Sequence, residues 1–357
     1  MSDANFLIRT DASASIGSGH IMRCIALAEK IHCKGFNVYF LSCSAPDMIT
    51  GNVKDRGFYY EPLLTYPRGS DQDAIQTAKT ADSLKAGWII FDGYSFNEEY
   101  LNIIRKQTPA HVLYVDDYAC LAHYPVDILL NQNSSAQQFN YQSDTHTQLL
   151  LGSRYTMIRS EFKKYRKPEP EITDNQIKIL ITMGGSDPSG MSLQTLNAVK
   201  KSEQRNIVVK LIAGSMNPML KEIRETARAF DKSISVIDNS KDMGSLIKWA
   251  DIVISAAGST CWEICYLGTP CIVIVTADNQ LATADDLARR ECAVNLGWHN
   301  RLSCAKIASS LENLIGDLAL RKRMSHNQRA LIDGCGAQRV LEAMCSYTTC
   351  PPSRTTF

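Results

Sequence analysis

The chain has 357 residues, 45% of them hydrophobic, and carries 38 Lys and Arg against 37 Asp and Glu, a formal net charge of +1. That length predicts two domains, each with an ample core. The near-zero balance, without a basic block interleaved with aromatics, excludes the field of a nucleic-acid binder and leaves room for a small anionic ligand recognised locally. The opening Met1-Ser2-Asp3-Ala4-Asn5 has no export-signal pattern, and no run reaches the roughly 18 apolar residues of a membrane helix. A cytoplasmic protein without stable membrane association is expected. Twelve cysteines are scattered through apolar segments with no CxxC pair and no His at zinc spacing, so reduced core thiols are expected, with no metal site and no cofactor.

In chain order, Phe6-Leu7-Ile8 predicts a strand, Asp11 to Gly19 a small-residue loop, and Ile21 to Ile31 an amphipathic helix. A loop of this kind can be an anion site. Gly17 and Gly19 let a ligand approach the backbone, the first amides of the helix lack intrahelical partners, and His20 stands at the helix start. It can equally be a tight turn whose histidine caps or packs. Strands follow at Val38–Leu41, Phe58–Tyr60, Trp88–Asp92, His111–Asp117 and Asp127–Asn131, alternating with helices around 46–55, 71–84 and 98–106. Short apolar strands alternating with amphipathic helices predict a parallel sheet covered on both faces. Ligands of such sheets bind beyond the carboxyl ends of the strands, which here carry His20, Asp92-Gly93-Tyr94, Asp116-Asp117 and Asn131-Gln132-Asn133.

Two prolines among mixed charges predict a linker over 161–176. It divides a domain over 1–160 from a second α/β series over 177–347, with a tail at 348–357. The expected fold class is α/β, two Rossmann-like domains facing a cleft. The second series predicts strands at 177–182, 207–213, 234–237, 252–255 and 270–275. Helices are expected at 190–200, 218–230, 243–249, 260–267, 279–290, 305–315, 318–332 and 338–346, and one of the last three can cross back to the first domain. Met183-Gly184-Gly185-Ser186-Asp187-Pro188 repeats the strand-to-helix loop, with backbone amides and the Ser186 hydroxyl as phosphate donors and Asp187-Pro188 starting the helix. Gly258-Ser259-Thr260 repeats it again, with Glu263 one turn into the helix, where a carboxylate can accept from ribose hydroxyls. Together these loops suggest a nucleoside diphosphate. Read singly, each is equally an ordinary turn, Tyr94 a packed loop aromatic, and Asn279 a helix N-cap.

Several separate motifs fall in one order. They are Ile16-Gly17-Ser18-Gly19-His20-Ile21-Met22-Arg23-Cys24, Asp92-Gly93-Tyr94, Leu150-Leu151-Gly152-Ser153-Arg154-Tyr155 with Arg159-Ser160-Glu161-Phe162, and Gly184-Gly185-Ser186-Asp187-Pro188. Gly258-Ser259-Thr260-Cys261-Trp262-Glu263, Asn279-Gln280 and Asp333-Gly334-Cys335-Gly336-Ala337-Gln338-Arg339-Val340 complete the series. From the first loop to about Val340 the chain resembles the UDP-2,4-diacetamido-2,4,6-trideoxy-β-L-altropyranose hydrolases of pseudaminic acid biosynthesis. The resemblance implies a fold similar to two-domain nucleotide-sugar glycosyltransferases and a metal-independent, inverting hydrolysis of a UDP-sugar by water. It implies His20 as catalytic histidine, with Tyr94 and Asn279 as the further catalytic residues, placed to orient the attacking water. It also implies UDP binding by Gly258, Ser259, Thr260 and Glu263; Gly17, Gly19, Arg23, Gly185, Ser186 and Gln280 are expected as further substrate contacts. An imidazole can take a proton from water near neutral pH, and phosphate-directed amides make UDP a good leaving group, so paired carboxylates are not required. The alternatives are a glycosyltransferase of the same architecture and a noncatalytic nucleotide-sugar binding protein.

Overall fold

A computed structural model describes residues 5–13, 16–63, 65–166, 176–202, 206–214, 217–229, 234–238, 240 and 242–349. The chain divides into two compact units, one of residues 1–160 with 334–357 and one of residues 161–333.

The first unit runs β1 (Asn5–Thr10), α1 (Gly19–His32), β2 (Val38–Ser42), α2 (Asp47–Asp55), β3 (Tyr59–Pro62), α3 (Asp71–Ser83), β4 (Ala86–Asp92), α4 (Glu98–Gln107), β5 (His111–Val115), β6 (Ile128–Asn131) and β7 (Gln148–Leu151). All seven strands are parallel, in the order β3-β2-β1-β4-β5-β6-β7. The strands are apolar on both faces because both are covered. Ile8, Ile90 and Leu113 face the layer of α1, while Leu7, Phe91 and Tyr114 face the layer of α3 and α4. Strand order reverses between β1 and β4, which makes the carboxyl ends of those two strands the expected ligand position.

The second unit repeats the plan with β8 (Ile177–Thr182), α5 (Met191–Lys201), β9 (Ile207–Ala213), α6 (Leu220–Arg228), β10 (Ile234–Asp238), α7 (Met243–Trp249), β11 (Ile252–Ala256), α8 (Thr260–Leu267), β12 (Cys271–Val275), α9 (Leu281–Arg289), β13 (Val294–Trp298), α10 (Cys304–Gly316) and α11 (Leu318–Leu331). Its parallel sheet has the order β10-β9-β8-β11-β12-β13, reversing between β8 and β11.

Two strands, β7 and β13, were not expected. β7 is a four-residue edge strand whose first two residues are exposed, and β13 carries a register shift and Gly297 at φ +81°, so both signals are weak. The second domain also ends earlier than 347. The last helix, α12 (Gly336–Thr349), belongs to the first unit. Its residues Ala337, Val340, Leu341, Met344 and Tyr347 are buried with Ile21, Ile25 and Trp88. The Tyr347 hydroxyl donates to Asp127 Oδ1 at 3.1 Å. Five apolar residues at helical spacing require a partner surface, and α1 supplies it. The predicted tail begins inside this helix, and residues 350–357 lie outside the described residues.

The expected linker is also partly built. Residues 161–166 join the second unit: Phe162 is fully buried, and the Arg166 guanidinium donates to the carbonyls of Ile332 (2.8 Å) and Arg329 (3.1 Å). Residues 167–175 lie outside the described residues. No helix among the described residues is long and apolar enough to cross a membrane.

The start of α12 is set by close backbone approach. A Cβ on Gly336 would lie 2.2 Å from the Thr156 carbonyl oxygen and 2.4 Å from the Tyr155 carbonyl carbon. Backbone cannot yield as a flexible side chain does, so Gly336→Ala is expected to cost about 2 kcal/mol or more, read as a lower melting temperature. An unchanged melting temperature would show that the 155–156 turn moves freely.

Candidate active site

His20, Arg23 and Cys24 are three and four residues apart on the first turns of α1 and therefore share one face. That face meets the end of β4. Asp92, with no exposed surface, accepts from His20 Nδ1 at 2.6 Å and from Arg23 Nη2 at 2.6 Å through Oδ1. Through Oδ2 it accepts from Arg23 Nε at 2.6 Å and Cys24 Sγ at 3.3 Å. Arg23 then reaches the end of β5, where Nη1 donates to Asp117 Oδ1 at 2.6 Å and Nη2 to Asp117 Oδ2 at 3.1 Å. Asp117 also accepts from the Tyr94 hydroxyl at 2.6 Å and from Asn133 Nδ2 at 3.0 Å. The Tyr94 ring meets the His20 ring edge-on, with centroids 4.9 Å apart.

The charges explain the order of this cluster. Burial pushes the Asp92 and Asp117 carboxyls up, but the Arg23 guanidinium, with His20, outweighs it and holds both below the ordinary carboxylate range. An ionised carboxylate only accepts, so in the neutral imidazole Nδ1 carries the hydrogen and Nε2 keeps its lone pair. The 3.2 Å approach of Arg23 Nη2 to His20 Nδ1 arises because both donate to the same Asp92 oxygen. The Tyr94 proton is likewise committed to Asp117, leaving the phenol oxygen to accept. The arrangement presents two acceptors, Nε2 of His20 and Oη of Tyr94, suited to holding and deprotonating a water or an alcohol.

Arg23, expected as a ligand contact, is used internally: it is buried, and two carboxylates take its fork. Asp117 and Asn133 were visible only as polar residues closing strands, and Asp92 also as the first residue of the Asp92-Gly93-Tyr94 motif. Their signal was position, since Asp92 ends β4 at the reversal of strand order and Asp117 lies two residues past the end of the adjacent strand. The loop before α1 closes on itself where Gly17 N donates to the Ser13 carbonyl at 2.8 Å, with Gly17 at φ +77° and open space where a Cβ would stand. Ser18 makes no side-chain cap to α1. The amides at Gly19 and His20 therefore remain the first turn of an uncapped helix.

In the second unit the loop after β8 departs from expectation. Asp187 does not begin the helix but caps it, its carboxylate accepting from the amides of Met191 (3.0 Å) and Ser192 (2.7 Å). The N-terminus of α5 is thus filled by the protein's own anion, which leaves Gly185 and Ser186 on a loop without free helix amides behind it. The loop after β11 carries no such anion: α8 starts at Thr260, Ser259 makes no side-chain cap, the amides of Cys261 and Trp262 donate back to the carbonyls of Gly258 (3.0 Å) and Ser259 (3.1 Å), and Glu263 lies half-buried in the first turn. Gln280 bridges to this loop. Its Oε1 accepts from Thr276 N (2.9 Å) and Thr276 Oγ1 (3.1 Å), which turns Nε2 toward Gly258, 3.7 Å from where a Cβ would stand. Asn279 precedes it in a single 3₁₀ turn, Asp278–Gln280, before α9. The structure therefore gathers His20, Tyr94 and Arg23 in one unit, and Gly258, Ser259, Thr260, Glu263, Asn279 and Gln280 around two neighbouring loops of the other.

Two doubly wound parallel sheets, each with its polar loops at the reversal of strand order, make this a two-domain α/β protein. Residues 179–339 match the glycosyltransferase family 28 C-terminal domain. The chain is 24% identical over 341 residues to the spore coat polysaccharide biosynthesis protein SpsG of Bacillus subtilis, covering 93% of this chain and 95% of that one. It is 27% identical over 286 residues to the UDP-2,4-diacetamido-2,4,6-trideoxy-β-L-altropyranose hydrolase of Campylobacter jejuni, covering 80% and 96%. An uncharacterized protein of Methanocaldococcus jannaschii is 25% identical over 291 residues, and there the chain spans 58% of the relative's length. The crystal structure of MurG from Acinetobacter baumannii superposes with a TM-score of 0.66 at 16% identity, covering 96% of this chain and 99% of that one. The likeness to MurG shows the fold. The relatives include the hydrolase that the sequence motifs resemble, alongside a polysaccharide biosynthesis protein.

Proposed function

We propose that this chain hydrolyses a UDP-linked diacetamido-trideoxy sugar at its anomeric carbon, with inversion and release of UDP. The observation that carries the reading is the Asp92–His20 pair, which leaves Nε2 of His20 as a lone-pair nitrogen beside the accepting oxygen of Tyr94. Water held by these two acceptors gives a proton to His20 as its oxygen bonds to the anomeric carbon. The bond from that carbon to the β-phosphate oxygen breaks, and its electron pair leaves with UDP. One displacement on one face inverts the centre. Asp92 steadies the imidazolium that forms, and no second carboxylate is required. The amides of Gly258, Ser259 and Thr260 at the start of α8 suit a phosphate, and Glu263 suits the ribose hydroxyls. Asn279 and Gln280 are the second unit's proposed polar contacts to the substrate, as Gly17 and Gly19 are the first unit's. The similarity to the Campylobacter jejuni hydrolase supports the substrate class.

The match to a glycosyltransferase family 28 domain favours a second reading, in which the same base deprotonates an alcohol acceptor and the sugar is transferred. Proton NMR of the purified chain with UDP-2,4-diacetamido-2,4,6-trideoxy-β-L-altropyranose and EDTA separates the two. Hydrolysis predicts UDP and a free sugar of inverted configuration without any acceptor. An intact substrate in the presence of bound protein would shift the reading to transfer.

A further inference from the structure

The series of rings that begins at His20 does not stop at Tyr94. Tyr118, on the turn after β5, lies with its ring centroid 5.5 Å from that of Tyr94, and the two tyrosines are 39% and 43% exposed. They are a pair of large aromatic surfaces open to solvent next to the proposed base.

The turn that carries Tyr118 is fixed on both flanks. On one side Asp117 is held by Arg23, Tyr94 and Asn133. On the other, the fully buried Asp116 carboxylate accepts from the amides of Ala119 (2.6 Å) and Cys120 (3.1 Å) and from the phenols of Tyr124 (2.8 Å) and Tyr141 (2.9 Å). Ala119, directly after the exposed ring, has φ +58°, a left-handed conformation that a residue with a Cβ adopts only when its surroundings impose it. A ring carried on a turn held at both flanks costs little ordering when a ligand covers it.

We propose that Tyr118, together with the Tyr94 ring, forms the wall that receives the apolar face of the substrate's sugar, so that Tyr118 is a specificity-determining residue. An aromatic face carries negative charge density, which attracts the slightly positive C–H groups of a pyranose face and of acetamido or 6-deoxy methyls. A sugar rich in such groups gains from the wall more than a fully hydroxylated one. The inference rests on the UDP-sugar reading above and specifies which group reads the sugar.

Calorimetric titration of the full chain with UDP and with UDP-N-acetylglucosamine, repeated for Tyr118→Ala and Tyr118→Phe, tests it. The affinity for the UDP-sugar relative to UDP is expected to fall about tenfold in Tyr118→Ala and to recover in Tyr118→Phe, with UDP affinity itself steady. Equal loss of both ligands in Tyr118→Ala would place the ring against the nucleotide and overturn the proposal, and so would an unchanged ratio. A wild-type chain that shows the expected ratios but hydrolyses no UDP-sugar would defeat the hydrolase reading and leave the wall standing.

Discussion

Replacing Asp92 by Asn is expected to lower kcat about 10³-fold, equivalent to about 4 kcal/mol of transition-state stabilisation. The amide keeps the shape of the carboxylate but not its acceptors. One of its two terminal atoms becomes an NH₂ facing either His20 Nδ1 or the Arg23 fork, both of which donate to Asp92 in the native protein. If it faces the histidine, the hydrogen moves to Nε2 and the base is lost. If it faces Arg23, a buried guanidinium is left short of charge, which costs about 3 kcal/mol in stability. Acid titration separates the two effects. Asp92 is held below the usual carboxylate range in the folded protein, so the stability it contributes is fully present above the unfolded value of about 4 and is lost as pH falls toward the folded one. The wild-type melting temperature should fall steeply below about pH 4. That of Asp92→Asn should start lower and fall less steeply, since the Asp92 share is gone while those of Asp117, Asp73 and Asp242 remain. A variant that melts lower but retains its kcat would make Asp92 a structural residue only.

How much of this was legible in the sequence depends on whether a feature is local. The strands β1, β4, β8, β11 and β12 announce themselves because they are buried on both faces and so are continuously apolar. β7 and β13 do not, because an exposed edge and a bulge dilute that signal. The periodicity of α12 identifies a helix with an apolar face, yet the surface it covers lies on α1, some 300 residues back along the chain, and no local pattern encodes that choice. The site divides in the same way. His20 after a glycine loop was readable as chemistry, whereas its partnership with Asp92 joins residues 72 apart in sequence. Arg23 illustrates the limit most plainly. A guanidinium fork fits a phosphate and a carboxylate equally well, and only the fold shows that Asp92 and Asp117 take it. Asp187 errs in the same direction, since a helix N-terminus attracts any anion and here the nearest is the protein's own.

His20→Ala is expected to lower kcat by about 10²-fold or more while leaving the Kd for UDP within about twofold. The substitution removes the proposed proton acceptor and little else. Alanine is the better helix former, so α1 should still start at Gly19. Asp92 keeps both bonds from the Arg23 guanidinium, so no buried charge is stranded. The proposed nucleotide loops belong to the other unit and share no residue with the histidine. Imidazole supplied in solution should restore part of the rate if the missing function is proton transfer, because the space vacated beside Asp92 and Tyr94 matches the ring. A kcat close to that of the wild type would remove His20 from the mechanism and shift the role of base to another group. A loss of UDP affinity as large as the loss of kcat would instead assign the histidine to the nucleotide. Measuring both constants on one preparation, with its melting curve, distinguishes the three results.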